Sequence, residues 1–148
     1  MMQITWQKMV PELIVLDFSR SLEFYTQVLD FTVLYARHDP EFVYLEQGDL
    51  QLMLLEAEGE MWLDAPLERP LGRGINLQMD IDDVQPIYDR LVATQAPLHR
   101  DLNDIWRETG EGLTGSREVW FQDPDGYLLR FCQTLGSKPD TGTEPSGT

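Results

Sequence analysis

Cysteine and histidine are scarce in this sequence of 148 residues, which has one cysteine, Cys132, and two histidines, His38 and His99. A single cysteine excludes an internal disulfide and agrees with a reducing compartment, so we expect a cytoplasmic location. Both histidines stand in polar or turn-like stretches. Their number and surroundings argue against a metal or catalytic centre built on histidine.

Long apolar runs and basic residues are also in short supply. No apolar run approaches the ~20 residues of a membrane span, and the opening MMQITWQKMV lacks a basic region followed by an apolar block. We therefore expect no membrane association and no signal peptide. Eleven basic residues against 26 acidic ones give a net charge of −15, which disfavours nucleic acid as a partner. The same charge favours a cationic ligand, or serves solubility alone.

The sequence does contain an order of predicted elements that occurs twice. The first half predicts a strand at 9–16, a helix at 17–31 and strands at 32–36, 41–46 and 50–56. The second half predicts a strand at 74–81, a helix at 82–95 and strands at 97–101, 117–122 and 126–134. A repeat of this kind fixes the architecture. It predicts an α+β fold of two tandem βαβββ modules, whose curved mixed sheets enclose a cleft.

The predicted boundaries follow from this repeat. A single domain at 1–136 contains module one at about 8–56, a linker at 57–72 and module two at about 73–135. The segment 137–148 is polar and rich in glycine and proline, which predicts a disordered tail.

Arg130 is the unusual residue of the last predicted hairpin, VWFQDPDGYLLRF, which turns at DPDG. It lies between Leu129 and Phe131 in a strand that should be largely buried, where a charge needs a partner. We expect an acidic partner for Arg130, with Glu12 as the first choice.

Two phrases, VLDFSRSLEFYTQVLDF and FQDPDGYLLRF, resemble motifs of the vicinal oxygen chelate superfamily. This superfamily includes glyoxalase I, extradiol dioxygenases, fosfomycin resistance enzymes and bleomycin resistance proteins. The resemblance covers Met9 to Leu135 and implies the glyoxalase/bleomycin resistance fold. It does not fix the activity, because one fold of this kind carries many functions.

Enzymes of the superfamily hold one divalent metal with His, Gln or Glu side chains. Carried over by the resemblance, their four positions fall here on Val10, Leu52, Asn76 and Arg130. Valine and leucine offer no donor atom, asparagine is a weak ligand, and a guanidinium repels a cation. A shift by two residues brings Glu12 and Gln78 into place but puts Leu128 or Cys132 at the last position. We expect no metal and no cofactor.

Other phrases resemble the bleomycin resistance branch, which binds its drug without changing it: VPELIVLD, YLEQGDLQLMLLE and DPDGYLLRFCQ. The resemblance implies a cytoplasmic homodimer that sequesters a cationic glycopeptide with a flat aromatic group. Acidic and aromatic side chains suit such a ligand. The expected binding residues, several of them in or near a predicted loop at 104–115, are Tyr35, Phe42, Asn76, Trp106, Thr114, Gly115 and Glu118.

Alternatives remain at this point. Trp106 either stacks on the ligand or anchors its loop on the sheet. The chain is either a binder of this kind or a metal-dependent enzyme of the same fold, such as a lyase, an isomerase or a dioxygenase. A third possibility is a fold relative that binds another small molecule or a protein partner.

Overall fold

The structure, a computed structural model, describes residues 3–58 and 63–140. In the first half, strand β1 is followed by helix α1, which continues into a π-helical segment, and then by three strands. Their bounds are β1 Glu12–Val15, α1 Phe18–Glu23, the π-helical segment Phe24–Val28, β2 Thr32–Arg37, β3 Phe42–Gln47 and β4 Leu50–Glu56. The second half has the same order: β5 Asn76–Asp80, α2 Gln85–Ala93, β6 Leu98–Glu108, β7 Leu113–Gln122 and β8 Leu128–Lys138.

The strands form two four-stranded mixed sheets with the same internal order. The first sheet runs β1-β4-β3-β2 and the second runs β5-β8-β7-β6. In each sheet the first and last strands of the half, β1 with β4 and β5 with β8, pair in parallel, and the remaining pairs are antiparallel. The predicted α+β class with two βαβββ halves is confirmed.

The described chain divides into two compact units. The first comprises the described residues up to Leu71 together with Asp123–Gly126, and the second comprises Gly72–Gln122 with the described residues from Tyr127 onwards. The prediction of a disordered tail from residue 137 is wrong at its start, because β8 continues to Lys138. Residues 141–148 of that tail and residues 59–62 of the predicted linker lie outside the described residues.

The DPDG segment is tied to the first unit by two buried carboxylates. Asp123 accepts a 2.8 Å hydrogen bond from the hydroxyl of Tyr25. Asp125 accepts bonds from the backbone N–H of Leu16 at 3.1 Å and from Arg69 Nη2 at 2.9 Å. Buried carboxylates are costly unless such donors satisfy them. The segment is therefore a structural part of the first unit as well as a turn between strands.

The second sheet has one apolar and one polar face, because side chains alternate along each strand. The apolar face and helix α2 supply the core of the second unit, whose buried residues include Met79, Val84, Ile87, Leu91, Val119, Phe121, Leu129 and Phe131. The even-numbered residues of β7 and β8 lie on the opposite face, where Trp120 pairs with Arg130 and Glu118 with Cys132. This polar face carries the candidate site described below.

The loop predicted at 104–115 is wrong, because most of it is strand. β6 extends to Glu108 and β7 begins at Leu113, with Asp104 paired with Arg117 and Trp106 with Gly115. The chain turns between Thr109 and Gly112, which are joined by a 3.0 Å backbone hydrogen bond. The many charged residues on both sides of Ile105 and Trp106 are those of an edge strand exposed to solvent rather than of a loop.

No helix in the described part of the chain is both long enough and apolar enough to span a bilayer.

Replacing Tyr25 by Phe should lower the free energy of unfolding by about 1–3 kcal/mol, because the buried carboxylate of Asp123 loses a donor. Tyr88→Phe is the matched control, since the hydroxyl of Tyr88 bonds to the exposed Asp101. Denaturant titration measures both variants. Equal losses in the two would contradict a structural role for the buried bond.

Candidate ligand cleft

The polar face of the second sheet contains a cleft of about 420 Å³. Its walls combine charged side chains, hydroxyl groups, one amide and one glycine. The lining residues are Gln78, Asp80, Arg107, Thr109, Thr114, Gly115, Ser116, Glu118, Arg130 and Thr134. A cleft with these walls can form hydrogen bonds with a ligand of small-molecule size.

Glu118 is the centre of this cleft, and its side chain is 1% exposed. Its Oε2 atom accepts a 2.7 Å hydrogen bond from Arg107 Nη1. Its Oε1 atom accepts bonds from Arg130 Nη2 at 3.0 Å and from Trp120 Nε1 at 2.9 Å. Three side chains on three strands therefore converge on one carboxylate.

The hydrogen bonds keep Glu118 ionised. Burial by itself raises the pKa of this carboxyl group, but the bonds from Arg107, Trp120 and Arg130 outweigh that effect and lower the pKa from 4.5 to about 2. Burial and the negative charge of Glu118 raise the pKa of the neighbouring Cys132 thiol to about 12. At neutral pH Glu118 is therefore a carboxylate, and the buried Cys132 on the neighbouring strand is a protonated thiol.

Arg130 has an acidic partner, as predicted, but the choice of Glu12 was wrong. The guanidinium pairs with Glu118 on the neighbouring strand β7, and it lies over the ring of Trp120 at 4.2 Å from its centroid. Asn76 on β5 accepts a longer bond of 3.4 Å from Arg130 Nη1. These contacts hold the positive charge of the guanidinium at a fixed place on the polar face.

Trp106 lies over Gly115 and does not line the cleft. A Cβ atom at Gly115 would come within 2.7 Å of the indole, so only glycine fits beneath the ring. The ammonium group of Lys138 lies 4.0 Å from the centroid of the same ring. Strand alternation places Trp106 on the opposite face from Arg107, which does line the cleft.

Tyr35 and Phe42 belong to an aromatic cluster in the first unit. Tyr35 stacks on Tyr44 and contacts Trp6 edge-on, at centroid distances of 5.3 Å and 6.0 Å. Phe42 is 2% exposed, and Arg37 covers its ring at 4.0 Å. Trp6 is 55% exposed and gives the cluster its accessible indole.

The structure thus brings together three of the seven predicted binding residues, Thr114, Gly115 and Glu118, in the walls of one cleft. Asn76 contacts the cleft through Arg130, and Tyr35 and Phe42 lie together in the first unit. Sequence reasoning did not predict a role for several lining residues, namely Asp80, Arg107, Thr109, Ser116 and Thr134. The alternation of Arg107, Thr114, Ser116 and Glu118 on one strand pair was the available signal.

The residues at the superfamily's metal-ligand positions do not fit a divalent metal ion. Leu52 is 1% exposed and lies on the core side of β4. Arg130 is a cation, and Asn76 already accepts from it. Among residues 3–58 and 63–140, no group of three or more His, Cys, Asp or Glu side chains is arranged to hold a metal ion.

The position of Leu52 also shows why counting from the turn glycine misleads. The β3–β4 loop has two residues between the paired Gln47 and Leu50, whereas the β7–β8 loop has five between Gln122 and Leu128. Leu52 and Arg130 both lie four residues past a turn glycine, yet Leu52 is on the core side of β4 and Arg130 lines the cleft, so equal spacing from the glycine does not select the same face in the two sheets.

Comparison with known proteins identifies the family. Residues 9–131 match the Glyoxalase/Bleomycin resistance protein/Dioxygenase superfamily. The two mixed sheets of this fold and the long match together define a vicinal oxygen chelate protein, as the sequence phrases predicted. The chain belongs to this superfamily.

Individual relatives are distant and carry different activities. A bleomycin resistance protein of Geobacillus stearothermophilus is 25% identical over 138 residues, covering 86% of this chain and 97% of the relative. A probable lactoylglutathione lyase of Vibrio cholerae is 27% identical over 128 residues, covering 79% and 83%. The crystal structure of TioX from a Micromonospora species matches with a TM-score of 0.65 at 22% identity, covering 88% of this chain and all of that one, which shows the fold alone.

Replacing Glu118 by Gln should lower the free energy of unfolding at pH 7 by about 3 kcal/mol, because two guanidiniums lose their shared counter-charge. The folded pKa of Glu118 is depressed, so its contribution is complete above pH 4.5 and is lost as the pH falls toward 2. Denaturant titrations between these pH values should therefore show the difference between the two proteins shrinking.

Asp104→Asn is the control for this experiment, because Asp104 is paired with Arg117 at the surface. It should cost less than about 1 kcal/mol at any pH. A difference between Glu118→Gln and the parent that stays constant with pH would contradict the assigned charge state.

Proposed function

We propose that the protein binds a bleomycin-family glycopeptide without changing it and so protects its host by sequestration. One observation carries this proposal. Where metal-using relatives are expected to keep a glutamate ligand, this chain has Arg130, and Glu118 fixes that guanidinium in the wall of the cleft. The position that would hold a metal is rebuilt as a hydrogen-bonding surface.

The protonation states of Glu118 and of the buried Cys132 beside it support binding over chemistry. A general acid or base works best when its pKa lies near the working pH. The pKa of Glu118 is about 2, and that of the Cys132 thiol is about 12. Neither group exchanges a proton readily near neutral pH, and a protonated buried thiol is a poor nucleophile.

Each of the two units offers residues for contact with a ligand. In the second unit, Thr114, Gly115 and Glu118 line the cleft, and Asn76 supports Arg130. Of the other expected residues, Trp106 lies on the opposite face from Arg107 and takes no part in this cleft, whereas the first-unit residues Tyr35 and Phe42 support the exposed Trp6, which we propose as the surface for a flat ring. The net charge of −15 attracts a cationic ligand at long range.

Sequestration needs no catalytic step. A tight complex lowers the concentration of unbound drug in proportion to the amount of protein and its affinity. The proposal therefore places the protein in the cytoplasm, where it would intercept the drug. The alternative function is that of a metal-dependent enzyme, which the 27% identity to lactoylglutathione lyases supports.

Isothermal titration should show that bleomycin binds and is recovered unchanged. Trp6→Ala should weaken binding by about 1–3 kcal/mol if the exposed indole stacks on the planar part of the drug. Val33→Ala, a change of another exposed apolar residue in the same unit, should leave the affinity unchanged. Binding should also weaken with salt, since the long-range attraction is screened over ~8 Å at physiological ionic strength.

The same protein should be tested for lactoylglutathione lyase activity and metal content after incubation with Ni²⁺, Mn²⁺, Fe²⁺ or Zn²⁺. A stoichiometric ion that a chelator removes, together with turnover that depends on it, would replace the binding proposal by the enzyme. No heat with bleomycin, no shift in melting temperature and no protection of a sensitive host would refute the proposed ligand.

A homodimer is part of the proposal. Each sheet ends in an open edge strand, β2 or β6, and open edges need cover. Sedimentation at micromolar concentrations should give twice the chain mass of 17.1 kDa. A monomer across that range would contradict it.

A further inference from the structure

The cleft of the second unit carries more positive charge than its buried carboxylate neutralises. Arg107 and Arg130 both pair with Glu118, at 2.7 Å and 3.0 Å. Within the described residues, neither guanidinium has a second ion pair. Arginine stays protonated in proteins, so two positive charges share one negative charge. The cluster therefore has a net charge of plus one.

Glu118 has little capacity left to accept further hydrogen bonds, whereas the arginines still have N–H groups to donate. Its two oxygens take bonds from Arg107, Arg130 and Trp120. The only other bond of Arg130 within the described chain is the 3.4 Å contact of Nη1 with Asn76, and its buried Nε has no partner there. Donors without acceptors are costly in a buried setting, so this cluster lacks an acceptor.

The cleft gives a ligand access to the two guanidinium groups, although the Nε atom of Arg130 is itself buried. Arg107 is 37% exposed and Arg130 is 14% exposed, and both line the 420 Å³ cleft. Thr114, Ser116 and Thr134 add hydroxyl groups to the same walls. Guanidinium groups present their donors in a planar fork that matches the two oxygens of a carboxylate.

We infer that the Arg107–Glu118–Arg130 cluster is a subsite for a carboxylate-bearing ligand. The inference goes beyond the proposed function and shares with it only the use of the cleft as a ligand site, because the proposed glycopeptide is cationic and this cluster selects an anionic group. A carboxylate brings the net charge of the cluster to zero and accepts hydrogen bonds from guanidinium N–H groups that Glu118 does not use. Arg130 then supplies the positive charge that a bound metal ion supplies in other proteins, and a chelator cannot remove it.

Among the described residues, Asp80 is the one acidic wall residue of the cleft outside the cluster, and its charge opposes an anion. It lines the cleft and is exposed, and no hydrogen bond joins it to Arg107 or Arg130 within the described chain. Its charge should weaken carboxylate binding without taking part in the cluster. Asp80→Asn therefore offers a gain-of-affinity test, which a loss of folding cannot mimic.

The experiment compares benzoate with benzamide, its neutral counterpart of the same shape, at constant ionic strength. Nuclear magnetic resonance titration follows the arginine side-chain N–H signals and gives both dissociation constants. Benzoate should bind at least about tenfold more tightly than benzamide, because charge-assisted hydrogen bonds are roughly twice as strong as neutral ones. The signals of Arg107 and Arg130 should move with benzoate.

Variants locate the effect. Arg107→Met should weaken benzoate binding about tenfold or more, and Asp80→Asn should strengthen it. Arg117→Met removes the same charge from the opposite face of β7 and should leave the affinity unchanged within about twofold. Equal binding of benzoate and benzamide, no binding of either, or equal effects of the two arginine variants would overturn the subsite.

Bleomycin titrated into the same variants separates this inference from the proposed function. Benzoate binding that depends on Arg107 without any bleomycin binding would keep the subsite and remove the drug as ligand. Bleomycin binding without selective benzoate binding would keep the proposed function and overturn the subsite.

Discussion

The ionised carboxylate of Glu118, buried on the polar face of the second sheet, is the interaction on which the site depends. Without it, Arg107 and Arg130 would place two like charges in one cleft, and Trp120 would lose the acceptor of its indole N–H. Removing one partner from a buried ion pair is far more costly than removing an exposed pair. The same carboxylate orders the cleft and, through its negative charge, helps to keep the thiol of Cys132 protonated.

Most of the fold could be predicted because it depends on local patterns. The strand at 50–56 was predicted to the residue, and the helix predicted from residue 17 has Asp17 as its N-cap, which accepts a hydrogen bond from the backbone N–H of Arg20. The repeat of a strand, a helix and three strands gave the two sheets before any pairing was known. The prediction of a loop at 104–115 was wrong because its charged residues belong to the solvated side of an edge strand, which composition does not distinguish from a loop.

The site was harder to predict because it depends on register and on contacts between strands. The acidic partner of Arg130 was expected, but Glu12 was chosen, because the predicted β7–β8 hairpin did not include the register that brings Glu118 within reach of Arg130. Of the residues expected to bind ligand, Thr114, Gly115 and Glu118 lie in the walls of one cleft. Trp106 does not, because one step along β6 turns a side chain to the other face.

The DPDG segment belongs to the first unit but comes late in the sequence, and this affects the order in which the two units can fold. Asp123 and Asp125 complete the first unit, yet they lie 98 and 109 residues from the partners Tyr25 and Leu16. Contacts between distant parts of a chain form slowly because a long loop must close first. During synthesis the first unit therefore waits for residue 126 to leave the ribosome, by which time most of the second unit has already emerged. The two halves resemble each other in sequence, but they do not become complete one after the other.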